Sequence, residues 1–278
     1  QMCIRDSKNI NKNTGEVKIR DLATLLIRGG WPESLKVKKE NYPLIPKSYI
    51  DSILNVELDE EEKVRDKNKM NMLLKSLARN ESTIVSNKTI IKDIEEYETG
   101  NDILSSRTTL LDYLDFLERL HLIENQESYS SNYRSPERVG KSVKRHFVDP
   151  SLACSLLNLN VDKLISDLNT FGFLFEALVE RDLRIYMDYL DGKIYHFRDN
   201  VSGLEVDTIL EFEDGEYAAV EIKLGYNEVD EAIKNLKEFY NNMIKKPKFM
   251  CVIVGVLEAA YKDPDTSIYV VPITALKP

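Results

Sequence analysis

The chain has 278 residues, of which 42% are hydrophobic and 31% charged, with a formal net charge of −9. This is the composition of an ordinary globular protein, and no apolar run approaches the roughly 18–20 residues that cross a bilayer. The sequence shows no basic-then-apolar leader, so secretion is not expected. Cys3, Cys154 and Cys251 are far apart and form no CxxC, which argues against a zinc site or a disulfide framework. We therefore expect a cytoplasmic protein.

The first part of the chain predicts a tail followed by a helical linker. Residues 1–18 have neither helical nor strand periodicity, and we interpret them as a tail or foreign leader on a fragment whose true N-terminal part is missing. IRDLATLLIRGGWPESL at 19–35 predicts an amphipathic helix that the double glycine Gly29-Gly30 ends. A second helical candidate covers 48–70. Residues 1–66 are thus predicted to be a tail and linker.

Residues 67–155 predict a winged helix-turn-helix. Three helical segments, MNMLLKSLARN, NKTIIKDIEEY and SSRTTLLDYLDFLERLHLI, precede two alternating segments, HLIENQES and KRHFVDP, that predict a hairpin. The third helix, which would enter the major groove, carries Asp112, Asp115 and Glu118 on its polar positions. Backbone phosphates would repel these acids. The pattern therefore favours a structural or interaction role for this domain over reading DNA.

The loop of that hairpin is a basic island on an acidic chain. YRSPERVGKSVKRH at 133–146 contains one acid among five bases, and such a local excess suggests an anionic partner. The candidate nucleic-acid-binding residues are Arg134, Arg138, Lys141, Lys144 and Arg145. A solvated loop that has collected Lys and Arg is the alternative.

Residues 160–278 predict an α/β sandwich around a mixed sheet, so that the whole chain is of the α/β (α+β) class. The segment 165–190 predicts a long helix that is apolar nearly all round and therefore buried, and Glu176 lies inside its apolar string. KIYHFRDN and EVDTILEFEDGEYAAVEIKL predict strands, and EVDEAIKNLKEFYNNMI predicts an amphipathic helix. KFMCVIVGVL and SIYVVPI read as buried strands.

The turn FEDGE decides which side chains of its two strands can meet. A two-residue turn at Asp214-Gly215 would place Asp207 and Glu221 on opposite faces. A three-residue loop at 213–215 puts the glycine in the left-handed position and sets Asp207 across from Glu221, with Lys223 on the same face. The other face would then be largely apolar and would comprise Val206, Thr208, Leu210, Phe212, Ala218, Val220 and Ile222. This apolar pattern favours the three-residue loop.

Directly opposed carboxylates repel each other unless they are protonated or bridged by a cation. Mg²⁺, or Mn²⁺, with oxygen ligands would remove that repulsion. We predict Glu176, Asp207 and Glu221 as metal ligands. The predicted catalytic residues are Asp207, Glu221 and Lys223, with Lys223 stabilising charge on a reacting phosphate. A solvent-facing hairpin with surface ion pairs is the alternative.

The series GFLFE, EVD and VEIK resembles the PD-(D/E)XK nuclease-like fold, in which a helix acid, a strand Asp and an E-x-K strand surround the metal. The resemblance implies a restriction-endonuclease-like domain. It gives Glu176 the role of helix acid, Asp207 that of strand Asp, and Glu221 with Lys223 that of the E-x-K pair. Val206 stands where the family name has proline.

A longer ordered series resembles the C-terminal part of prokaryotic P-loop AAA-type ATPases that carry domain of unknown function 4143 (DUF4143). It runs over roughly residues 20–260 as RGGWPES, TTLLDYLDFLERLHLI, RHFVDPSL, FGFLFEALV, YHFRDN, EVDTIL and VEIKLG. In that family an ATP-binding core precedes the GG-W/F/Y-P-E turn, whereas this chain has no G-x-x-x-x-G-K-[ST] and no Walker B strand. The resemblance implies that Arg28 and Gly29-Gly30 are remnants of an ATPase lid or linker. It also implies that ATP binds only in the missing module and that this chain alone hydrolyses none.

Two functions stay open at this point. The first is Mg²⁺-dependent phosphodiester hydrolysis of DNA or RNA by the nuclease-like domain of an AAA-type ATPase. The second is a catalytically inactive nucleic-acid- or protein-binding module attached to an ATPase, which the acidic surroundings at 199–231 favour. The expected partners are nucleic acid, the missing ATPase core in cis and a second copy of the chain, and no membrane is expected.

Overall fold

The computed structural model describes residues 17–57, 66–95, 107–130 and 143–277. The chain divides into two compact units. Unit 1 comprises Gln1–Leu22, Gln126–Val143 and Leu168–Pro278, and unit 2 comprises Ala23–Asn125 and Lys144–Asp167. Among the described residues, this division places Gln126–Ser130 in the same unit as the C-terminal strands. Within the described ranges, no helix has the length and apolarity needed to cross a membrane.

The first half of the chain is mainly helical. Its elements are α1 (Ile19–Arg28), α2 (Leu44–Ser52), α3 (Lys67–Arg79), α4 (Asn87–Glu95), α5 (Arg107–Arg119), β1 (Ile123–Ser128), β2 (Lys144–Phe147), α6 (Pro150–Leu156) and α7 (Val161–Ser166). α3 begins where the Asp66 side chain accepts a hydrogen bond from the Lys69 N–H, which satisfies a free donor of its first turn. Leucines and a methionine at helical spacing then bury one stripe of α3 against α4 and α6.

The helices α3, α4 and α5 and the two strands lie where the sequence predicts them. The predicted helix over 48–70 is interrupted: α2 ends at Ser52, a wider helical turn covers Ile53–Glu57, and α3 begins at Lys67, with 58–65 outside the described residues. The winged-helix assignment itself stays a prediction.

The double-glycine turn after α1 is joined to the start of α6, 120 residues further on. The Gly30 N–H donates to Asp149 Oδ2 at 2.8 Å, and Trp31 Nε1 donates to Ser151 Oγ at 2.8 Å. Asp149 also caps α6 by accepting from the Ser151 N–H. Gly29 makes this geometry accessible because its φ of +67° lies in the left-handed region. The RGGWP and VDPS motifs are therefore parts of one structural contact within unit 2.

Replacing Gly29 with alanine should lower the free energy of unfolding by about 3 kcal/mol, since backbone strain and a steric clash add. An added Cβ would lie 2.5 Å from Ser151 Oγ and 2.6 Å from Asp149 Oδ1. Gly203 is the matched control, because its φ is +77° but a Cβ there meets no atom within 4 Å. Gly203→Ala should cost only about 1 kcal/mol. Urea unfolding of both variants measures the difference, and equal losses would contradict the clash.

The second half of the chain forms an α/β unit around a mixed sheet. Its elements are α8 (Leu168–Tyr189), β3 (Lys193–Arg198), β4 (Glu205–Glu211), β5 (Tyr217–Lys223), α9 (Val229–Asn242), β6 (Phe249–Val254), β7 (Tyr261–Lys262) and β8 (Tyr269–Pro272). Among the described residues the strand order is β2-β1-β3-β4-β5-β6-β8-β7. β3–β4, β4–β5 and β7–β8 are antiparallel, and β1–β3, β5–β6 and β6–β8 are parallel. This confirms the α+β class with a mixed sheet.

β5 is buried along almost its whole length because helices pack on the central strands from both sides. The α9 side is a core cluster that includes Tyr217 and Ala219 of β5 together with Leu236 and Phe239 of α9. Side chains alternate along a strand, so Ala218, which lies between Tyr217 and Ala219 on β5, points to the other face of the sheet. That face is reached by α8, whose Glu180 accepts a hydrogen bond from a β4 side chain.

The turn between β4 and β5 confirms the predicted three-residue loop. Glu211 pairs with Tyr217, and the Phe212 N–H donates to the Glu216 carbonyl at 2.8 Å. Gly215 has a φ of +76°, the left-handed conformation that the third loop position requires. The alternative two-residue turn would shift this register by one residue and is therefore excluded.

β4 contains a bulge that the sequence analysis does not anticipate. The pairs that flank it are Tyr195 with Ile209 and Phe197 with Val206. Between them, Asp207 and Thr208 of β4 stand opposite the single residue His196 of β3. The extra residue reverses the alternation, so that Val206 and Ile209 belong to the same core cluster. The predicted apolar face is therefore wrong at Val206.

Candidate functional site

The three predicted catalytic side chains meet on β4 and β5. Asp207 lies in the bulge of β4, next to Thr208, which pairs with Val220 of β5. Glu221 and Lys223 are two residues apart on β5 and therefore share a face. The structure thus brings together the acid and lysine positions that the sequence pattern predicts.

The positive charge between the two carboxylates is the ammonium of Lys223. Its Nζ lies 2.7 Å from Glu221 Oε2 and 3.2 Å from Asp207 Oδ2. The same Asp207 oxygen accepts a hydrogen bond from the Ile222 N–H at 2.8 Å. Glu221 is only 2% exposed, whereas the Lys223 side chain keeps 24% of its surface accessible. Within the cluster, Glu221 is therefore buried, whereas Lys223 is accessible to solvent.

α9 adds an amide that the sequence analysis missed. Asn235 Nδ2 donates to Glu221 Oε1 at 2.6 Å and also to the Glu205 carbonyl. A signal for it exists: Asn235 lies three residues after Ala232 and four before Phe239, both of which are buried. A polar residue on the inward stripe of an amphipathic helix usually has a buried partner. Here that partner is the carboxylate of the site.

The surroundings set the protonation of the cluster. Burial raises the pKa of Glu221 to about 8, the charge of Asp207 adds to the rise, and Lys223 opposes it. Burial alone lowers the pKa of Lys223, but Asp207 and Glu221 outweigh it and hold that pKa above its ordinary value. Lys223 is therefore charged at neutral pH and can act as a charged donor rather than as a general base. Glu221, in contrast, is the group of the cluster that titrates near neutral pH.

The buried acid of α8 is Glu180, one helical turn after the predicted Glu176. Glu176 is half-buried. Glu180 is 2% exposed, and its Oε2 accepts a hydrogen bond from Thr208 Oγ1 at 2.6 Å. Arg184 Nη2 lies 3.6 Å from the other carboxylate oxygen, Oε1. The α8 acid that reaches β4 thus contacts the residue beside Asp207 instead of Asp207 itself.

Across the described ranges, no group of three or more His, Cys, Asp or Glu residues is arranged to hold a metal ion. Glu176, Asp207 and Glu221 are accordingly not brought together as a three-acid cluster. What the structure shows is a pair of acids, Asp207 and Glu221, with Lys223 between them.

The predicted basic island is only partly described. Arg134, Arg138 and Lys141 lie outside the described residues. Lys144 is buried in β2, and Arg145 donates to Asn87 Oδ1 at 3.0 Å and to the Val85 carbonyl. Burial lowers the pKa of Arg145, and the charge of Glu118 opposes this. Both described bases are thus engaged inside unit 2, which leaves the island's role as a nucleic-acid contact a prediction.

Fold and site together define a two-unit α+β protein whose mixed sheet carries a carboxylate–lysine cluster. The chain belongs to the family described as Domain of unknown function (DUF8612), whose model matches residues 19–163, just over half of the chain. A second family model, Domain of unknown function (DUF4143), matches residues 171–276. The comparisons with curated proteins and with solved structures found no match. The resemblance to DUF4143 is thus confirmed for the C-terminal part, whereas the preceding part matches a different family.

Proposed function

We propose that the C-terminal domain hydrolyses phosphodiester bonds of DNA or RNA with Mg²⁺ or Mn²⁺, as a PD-(D/E)XK-type nuclease. We further propose that it acts in the cytoplasm with an AAA-type ATPase core in cis. The observation that carries the proposal is the Lys223 ammonium, held by carboxylates from two adjacent strands beside a bulge. Bulges occur often next to active sites, where they redirect a side chain. The described cysteines, Cys154 and Cys251, are free and buried, which supports a reducing compartment.

Asp207 and Glu221 suit a hard divalent cation, because Mg²⁺ is usually bound by one or two carboxylates together with waters and substrate phosphates. A cation held there would neutralise phosphate charge and lower the pKa of a bound water. In the structure, the Glu221 oxygens accept from Asn235 and Lys223. Metal binding at Glu221 therefore has to displace the ammonium or a proton.

Lys223 would donate to the phosphate of the substrate. Its pKa is held above the ordinary value, so it stays charged and stabilises the negative charge that develops on a phosphoryl oxygen. Its partly accessible side chain can turn from the carboxylates toward a substrate. Asn235 would keep Glu221 oriented while Lys223 moves, because it holds the other carboxylate oxygen.

A second candidate function is a catalytically inactive module that binds nucleic acid or a protein. It is favoured by the hydrogen bonds that the acids of the cluster accept from within the protein. Asp207 Oδ2 has two donors, Ile222 and Lys223, and each Glu221 oxygen has one. Such a network can stabilise the fold without any substrate.

Cleavage assays with purified protein separate the two functions. Wild type should cut single- or double-stranded DNA or RNA when Mg²⁺ or Mn²⁺ is added, and Lys223→Ala should lose at least about 100-fold of the rate. Lys245→Ala is the matched control, because Lys245 forms an exposed pair with Glu216 in the same unit. Calorimetry of metal binding accompanies the assay. Absence of both cleavage and metal binding in the wild type would exclude the nuclease function and favour the catalytically inactive binding module.

A further inference from the structure

Gln126 of β1 is a buried amide that lies against the bulge of β4. It has no exposed surface, and its Nε2 donates to the Tyr195 carbonyl at 3.1 Å and to the Asp207 carbonyl at 3.3 Å. Both acceptors lie at the bulge, one on each strand. One side chain thus connects the two strands at the position where their register changes.

The physical need for such an amide follows from the bulge. Two β4 residues face one β3 residue there, so the ladder between the strands is locally interrupted. A buried carbonyl without a donor costs free energy comparable to a lost hydrogen bond. The amide of Gln126 carries two hydrogens and supplies both carbonyls. An apolar residue of the same length could fill the space but would make neither hydrogen bond.

The same bulge determines the direction of the Asp207 side chain. Thr208, the second bulged residue, is fixed on the α8 side by Glu180. Gln126 holds the Asp207 carbonyl. With its backbone fixed at these two points, Asp207 directs Oδ2 to the Ile222 N–H and to Lys223 Nζ.

We propose that Gln126 is a positioning residue for Asp207 and, through it, for the Asp207–Lys223 contact. This rests on the proposed function in so far as the contact serves phosphodiester cleavage. It has a structural consequence: Gln126 lies in the segment that matches DUF8612, whereas Asp207 and Lys223 lie in the segment that matches DUF4143. The preceding family segment therefore supplies a residue that completes the site of the following one.

The test is made on the full chain without metal or nucleic acid. Gln126→Met keeps the length of the side chain and removes both donors, and Ser128→Ala on the same strand is the control for a change at a buried polar position. The readout is amide hydrogen exchange at Ile222, whose N–H is bonded to Asp207, relative to the amides of β6. Exchange should be about tenfold faster in Q126M and unchanged in S128A, because the hydrogen bond that protects it is weakened. An unchanged relative rate in Q126M would overturn the positioning role.

A general loss of stability is separated from mispositioning by the reference amides, since it would speed exchange in β6 as well. If Q126M does not fold, Gln126→Asn replaces it as a milder change, because asparagine keeps an amide but is one methylene shorter. Exchange at Ile222 is then compared with exchange in β6 in the same way. With a nucleic-acid substrate, Q126M should lower kcat about tenfold and leave KM unchanged, because it acts on the arrangement of the reacting groups. Failure of the wild type to cleave would overturn the nuclease proposal alone, because the Ile222 readout needs no cleavage.

Discussion

Replacing Lys223 with methionine is expected to lower the free energy of unfolding by about 3 kcal/mol at pH 7. Methionine preserves the unbranched stem but removes the ammonium, so that Asp207 and Glu221 face each other without a cation. Breaking a buried charge pair from one side is strongly destabilising because the remaining charge is left uncompensated. The pKa of Glu221 should rise further in this variant, since the Lys223 charge is a cause that opposes its rise. Urea unfolding at pH 7 measures the loss.

Lys245→Met is the control for that experiment. Lys245 pairs with Glu216 at 3.1 Å, but the two side chains are 45% and 41% exposed, so its loss should stay within about 0.5 kcal/mol. A double variant adds a sharper comparison: Lys223→Met with Asp207→Asn should be less destabilised than the sum of the two single changes. Similar losses in K223M and K245M, or strict additivity of the double variant, would show that the cluster is not a coupled charge network.

The register of the β4–β5 hairpin could be predicted because it depends on local chemistry. One glycine, Gly215, can occupy the left-handed loop position, and only one loop length places the apolar residues together. The register brings Asp207 opposite Glu221, with Lys223 on the same face of β5, and the structure shows the three side chains together. The bulge at Asp207 was not part of that prediction. The metal ion that the opposed acids predict stays a prediction. The structure adds the Lys223 ammonium, which contacts both carboxylates.

The bulge could not be predicted because it belongs to a strand pair. Whether Asp207 and Thr208 share one partner residue depends on how β3 aligns with β4, and β3 lies outside the hairpin. The role of Gln126 depends in turn on the parallel pairing of β1 with β3, between segments about 70 residues apart in sequence. The alternation of IENQES predicts its hairpin partner but does not indicate that its other edge pairs with β3. Polar residues that serve such junctions are visible only in the assembled sheet.

The choice between two acids on α8 shows a similar limit. Glu176 and Glu180 lie one turn apart, and the helix is apolar nearly all round, so its periodicity does not select between them. The structure shows that Glu180 accepts a hydrogen bond from the Thr208 hydroxyl, whereas the predicted role of Glu176 as a metal ligand stays a prediction. The prediction of the basic island as one surface has a related limit. Charge pattern does not reveal that Arg145 donates to Asn87 within the fold.

Replacing Glu221 with glutamine should remove part of the pH dependence of the free energy of unfolding. The folded-state pKa of Glu221 is raised from 4.5 to about 8, so the folded protein binds more protons than the unfolded chain between these values. The free energy of unfolding therefore falls as the pH rises through this window. The stabilising contribution of the neutral form is complete below about pH 4.5 and is lost above about pH 8. Glutamine keeps the neutral shape at every pH, so E221Q should lose this decline.

The two proteins should have nearly equal stability at pH 5, and E221Q should be more stable by on the order of 3 kcal/mol at pH 9. Urea unfolding at one-unit steps between these pH values measures the difference. Glu216→Gln is the control, because the exposed Glu216 side chain should give a difference that hardly varies with pH. A pH-independent difference for E221Q would mean that Glu221 is ionised in the folded protein throughout this range. Lys223 and Asn235 would then stabilise the carboxylate enough to outweigh its burial, and the site would hold two full negative charges at neutral pH.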